Sequence, residues 1–91
     1  MKKVHHLSHT DLDGYACQFL TNHFFENIEF YNSNYGNEID EKLNNILRKI
    51  ENEDFDKFLI LITDLNLTSQ QATFLQEAVK KSEKEIEILL L

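Results

Sequence analysis

Ninety-one residues, 42% apolar and 27% charged, with two glycines and no proline, describe one compact globular domain and exclude a second domain, a disordered chain or a collagen-like one. A chain this short buries only about 60–65% of its unfolded surface, so it holds little stability in reserve. Nine Lys and Arg against sixteen Asp and Glu leave a formal charge of −7, which argues against unaided capture of a phosphate backbone; a polyanionic ligand would need metal ions or a basic partner.

The single cysteine, Cys17, allows neither an internal disulfide nor a multi-cysteine zinc site and fits a reducing compartment, the cytoplasm. The start MKKVHHLSHTDLDG lacks the apolar core of a signal peptide, and no run approaches the ~20 residues that span a bilayer. A soluble chain with no membrane partner is expected.

A first strand is expected over residues 4–8, a mostly apolar stretch that runs into the polar cluster HTDLDG. After Gly14, the residues Ala16, Phe19, Leu20 and Phe24 fall at helical spacing, with Asp13 placed to cap that helix. Ile28, Phe30 and Tyr31 form a brief β-rich run, closed by the turn-forming SNYGN around Gly36, and make the second strand. Ile39, Leu43, Ile46, Leu47 and Ile50 line one stripe of a second helix, with Glu, Lys, Asn and Arg on its other positions.

The run FLILIT, residues 58–63, is apolar at every position before Thr63, as in a central parallel strand covered on both faces, and it ends beside Asp64. Thr68 and Gln71 form a capping box, followed by the buried stripe Ala72, Leu75, Ala78 and Val79 of a third helix whose charged tail KKSEKE is solvated. EIEILLL, residues 85–91, reads as a fourth strand with no turn or cap after it. Because the chain stops inside an apolar run, residues 1–91 are expected to be the N-terminal part of a longer domain. The exposed terminal strand then invites pairing with a second copy as a homodimer.

The order βαβαβαβ with right-handed crossovers gives an α/β, three-layer fold with a parallel sheet. In such sheets ligands bind outside the carboxyl ends of the strands. His9, Asp11 and Asp13 follow the first strand there, and Asp64 follows the third. With strand order 2-1-3-4 those two strands are neighbours, about 4.8 Å apart, and the four side chains can converge. Three carboxylates held together repel one another unless cations sit between them. Carboxylate oxygens with one imidazole suit Mn²⁺ or Mg²⁺, and two such ions about 3.5–4 Å apart can clamp a displacement at phosphorus. Two dications against three carboxylates leave a locally positive site, which reconciles an acidic chain with an anionic substrate.

The cluster HTDLDG at the end of a first strand, with ITDLNL after an apolar third strand, resembles the first two motifs of the DHH phosphoesterase superfamily. That family includes RecJ-type exonucleases, oligoribonucleases, cyclic-dinucleotide phosphodiesterases and manganese-dependent inorganic pyrophosphatases. The resemblance covers the whole chain but only the N-terminal half of a DHH domain; the Asp-His-His motif and the C-terminal DHH-associated domain would lie beyond Leu91. It implies that His9 and Asp11 ligate one metal, Asp13 the second, and Asp64 bridges them, with Asp13 and Asp64 central to catalysis. Gly14 would let the helix start pack close to the site. The DxDG form looks more like the nuclease and phosphodiesterase branches, which implies a nucleotide or short single-stranded nucleic acid as substrate. It also implies that these 91 residues alone turn over phosphodiesters only at trace rates.

Plainer roles stand beside these. Asp13 can be an N-cap only and Asp64 a turn residue. His5 and His6 read as strand residues with satisfied nitrogens, His23 as a helix surface residue and Cys17 as a small buried hydrophobe. The DLDG run also resembles the haloacid-dehalogenase phosphatase motif, with Asp11 as phosphorylated nucleophile and Asp13 as acid/base. Ser8, His9 and Thr10 before Asp11, and Tyr15 after Gly14, depart from that pattern. A receiver-like, non-enzymatic domain also places acidic residues after its first and third strands, but it uses an adjacent acidic pair, and Asp11 and Asp13 are separated.

Overall fold

The computed structural model describes residues 2–10, 18 and 27–91. Within them the chain runs β1 (Lys2–His9), β2 (Ile28–Ser33), α1 (Asn37–Asn52), β3 (Lys57–Thr63), α2 (Ser69–Lys81) and β4 (Glu85–Leu90). Of the helix expected after Gly14, with Asp13 as its cap, only Gln18 falls within the described residues, and it is helical.

All three strand pairings are parallel, as the alternation of strands and helices leads one to expect, and the order is β2-β1-β3-β4. Residue Val4 stands opposite Ile28 on one side and Leu59 on the other, so β1 and β3 are the inner strands of the described sheet. Both strands reach further than their apolar cores: β1 takes in Lys2, Lys3 and His9, and β3 takes in Lys57. Backbone pairing extends past the residues that burial selects.

The inner strands are buried on both faces. On one, Leu7, Phe58, Ile60 and Ile62 pack against Ile39, Leu43, Ile46 and Ile50 of α1 and Leu75 of α2. On the other, Val4, Leu59 and Leu61 form a second cluster with Ile28 against it. Both described helices thus lie on one face; the third layer expected from the sequence rests on residues outside those described.

Helix α1 starts at Gly36, whose φ of +93° is a conformation open to glycine, and nothing within 4 Å would obstruct a Cβ there. The backbone conformation, rather than space, selects glycine. Helix α2 starts at the capping box: Gln71 N donates to Thr68 Oγ1 at 3.1 Å and Thr68 N donates to Gln71 Oε1 at 3.0 Å. The same Gln71 donates through Nε2 to the Gly36 carbonyl at 3.3 Å and so ties the two helix starts together. Among the described residues no helix is long and apolar enough to cross a membrane.

Candidate active site

Ser8 and Thr63 are register partners on adjacent parallel strands. His9 and Asp64 are the next residue on each, so the strand alignment carries them together to the carboxyl end of the sheet. At Asp64 the backbone turns through the left-handed region, with φ 54°, a conformation that Asp adopts more readily than most residues. Asp64 is exposed while Leu65 returns to the core; the turn therefore separates a solvent-facing carboxylate from an anchoring apolar side chain.

His9 is half-buried, and its ring packs on Tyr35 with centroids 4.9 Å apart. The segment after β1 is tied to the segment after β2: Thr10 N donates to the Ser33 carbonyl at 3.2 Å and Thr10 Oγ1 to Asn34 Oδ1 at 2.5 Å. Thr10, near the start of the HTDLDG segment, is thereby fixed against the residues that follow β2. Tyr35 was not among the residues singled out from the sequence. Its place in the SNYGN turn, at the carboxyl end of a strand next to β1, is the signal that could have found it.

Asp11 and Asp13, with Gly14, Cys17 and His23, fall outside the described residues. Among those described, no three His, Cys, Asp or Glu side chains gather as a metal-holding group. His9 and Asp64 bring one imidazole and one carboxylate to the same end of the sheet, two groups able to ligate a divalent cation.

Two other histidines lie deeper. His6 is fully buried, with Nε2 at 2.7 Å from Thr63 Oγ1, beside the Phe30 ring. Burial pushes its pKa down to about 4, so the ring is neutral near pH 7. Only half of the satisfied pattern expected of it is present, since Nδ1 finds no hydrogen-bond partner among the described residues. His5 has a partner on each nitrogen: Tyr31 Oη at 2.8 Å from Nδ1, and Glu53 Oε1 at 2.8 Å from Nε2. Burial lowers the His5 pKa against the opposing pull of Glu53.

Around His5 a network joins distant segments that no local pattern in the sequence marks. Tyr31 donates to Glu29 Oε2 at 2.5 Å, Glu29 pairs with Lys49, and Lys3 pairs with both Glu53 and Glu29. Burial works against the Glu29 charge, but Lys49, Tyr31 and Lys3 outweigh it and lower the pKa to about 2. Burial likewise opposes the Lys3 charge, and Glu53 and Glu29 outweigh it to raise the pKa. Burial and the neighbouring Glu29 carboxylate raise that of Tyr31. This cluster faces α1, and its charges are matched by their neighbours.

With this geometry in place, the chain can be set beside known proteins. A 3',5'-cyclic-nucleotide phosphodiesterase of Helicobacter pylori (strain ATCC 700392 / 26695) is 46% identical over 94 residues, covering 100% of this chain and 27% of the relative. The crystal structure of an uncharacterized protein from Helicobacter pylori G27 matches with a TM-score of 0.95 and 46% identity, over 100% of this chain and 26% of that one. The chain therefore spans about a quarter of the length of each. No family model matches it.

Proposed function

We propose that this chain contributes to a metal-dependent phosphodiesterase that acts on nucleotides or short single-stranded nucleic acid. The observation that supports the reading is that His9 and Asp64 each follow the Ser8–Thr63 register pair at the carboxyl ends of neighbouring strands, in a chain 46% identical to part of a cyclic-nucleotide phosphodiesterase. In this reading His9 and Asp11 hold one Mn²⁺ or Mg²⁺, Asp13 holds a second, and Asp64 serves both. The ions would supply positive charge against a phosphoryl group and lower the pKa of water.

The chain's own residues do the positioning. The Ser8–Thr63 register supports a common location for His9 and Asp64, the Tyr35 ring backs the imidazole, and Thr10 is tied to the residues after β2. Gathering carboxylates in an acidic protein is unfavourable without cations, so metal binding and anion binding become linked.

The test is hydrolysis of a 3',5'-cyclic nucleotide and of a short oligonucleotide by the protein that carries this chain. Turnover that requires Mn²⁺ and is abolished by a chelator supports the reading. Turnover indifferent to metal, or a covalent phosphate on Asp11 as in a haloacid-dehalogenase phosphatase, overturns it.

A further inference from the structure

A groove of about 420 Å³ lies between the amino ends of α1 and α2, walled by Asn37, Asp40 and Asn44 on one side and Gln70 and Phe74 on the other. Its size falls in the range of small-molecule sites, roughly 300–1,000 Å³. The wall residues stand at helical intervals of three and four, so each helix turns one continuous ridge toward the groove. Gln71 braces the end where the helices begin, through its bonds to Thr68 and Gly36. The groove also neighbours the candidate active site: Gly36 lines it, and the preceding Tyr35 packs on His9.

The lining selects a particular chemistry. It holds no Lys or Arg and one carboxylate, Asp40, so it offers a phosphate no side-chain cation. It offers carboxamides from Asn37, Asn44 and Gln70, and a phenyl ring, Phe74, that is 41% exposed. A flat, neutral, hydrogen-bonding ligand fits that combination. Carboxamides pair with base edges, and an accessible aromatic ring stacks on a base face.

We infer that this groove receives the nucleobase of the substrate, with a base that carries N–H donors, guanine above all, directed to Asp40. The inference rests on the proposed function for the nucleotide class, and it divides the substrate by charge. The phosphate goes to the His9–Asp64 end, where cations can offset the carboxylates, and the base goes to the cation-free groove.

The test uses the full chain with chelator present, so that binding is read without hydrolysis. GMP and ribose 5-phosphate, which lacks a base, are titrated by calorimetry against the unmodified chain, Phe74→Ala and Asp40→Asn. GMP is expected to bind at least about tenfold more tightly than ribose 5-phosphate, a stacking-sized difference, and each substitution is expected to remove most of that advantage. Equal binding of the two probes by the unmodified chain, or an advantage that survives both substitutions, would overturn the inference. Both substituted residues are exposed, so neither change threatens the core. If the base-dependent binding behaves as expected but no metal-dependent hydrolysis is found, the groove stands and the phosphodiesterase reading falls.

Discussion

His9 and Asp64 leave neighbouring parallel strands one residue beyond the same register pair, Ser8 and Thr63. This relationship needs no direct bond between the two side chains. It is built into the sheet, and it places them where open α/β sheets bind ligands. A one-residue slip of β3 against β1 would turn the side chains of β3 to the opposite faces and separate the two positions. The buried run Phe58, Ile60 and Ile62 against α1 therefore guards the site geometry as well as the core.

Stability should fall on acidification, and His6 sets the window. Its pKa is about 4 in the folded chain against an ordinary 6.5. The unfolded state thus binds the extra proton first, and stability rises with pH through this interval. Between pH 6.5 and 4 the loss should reach on the order of 3 kcal/mol. Glu29, lowered to about 2 from 4.5, continues the decline below that. Urea midpoints taken across this range check it, and a midpoint unchanged between pH 7 and pH 4 would contradict it.

The capping box on α2 should be worth about 1 kcal/mol, so Thr68→Ala should lower the melting temperature by about 4–8 °C. The loss removes the acceptor for Gln71 N while leaving the core untouched. A thermal melt followed by circular dichroism reads it directly; no shift would mean that water replaces the hydroxyl at no cost.

Strand β4 pairs with β3 on one side and forms an edge of the described sheet, with Leu89, Leu90 and Leu91 exposed by 44%, 54% and 74%. An uncovered apolar edge favours pairing with another strand. Light scattering on the 91-residue chain should show a concentration-dependent dimer that Leu89→Lys weakens. A monomer at every concentration would contradict this.

Much of the fold was legible because each signal had a single strong cause. FLILIT could be satisfied only by burial on both faces, Ile39 through Ile50 only by one helical stripe, and Thr68 with Gln71 only by a helix start. Parallel pairing followed from the alternation of strands and helices, and the order 2-1-3-4 expected for the fold is the observed one. The Lys3–Glu29–Tyr31–His5–Glu53 network was not legible, since its partners lie as far as 50 residues apart and no local periodicity links them. Nor could sequence alone say that His6 pairs through one nitrogen, which depends on where Thr63 lands across the strand.

Asp64→Asn tests most directly the proposed role of Asp64 as a metal ligand. Asparagine keeps the size and tolerates the left-handed backbone at this turn, so the fold should be preserved while the negative charge is lost. In the protein that carries this chain, at saturating manganese, turnover of a cyclic nucleotide should fall by at least about a hundredfold, the scale of losing a key electrostatic group, with an unchanged circular dichroism spectrum. If the variant keeps more than half of the original turnover, Asp64 does not serve the metals and a chemistry centred on Asp11 takes precedence.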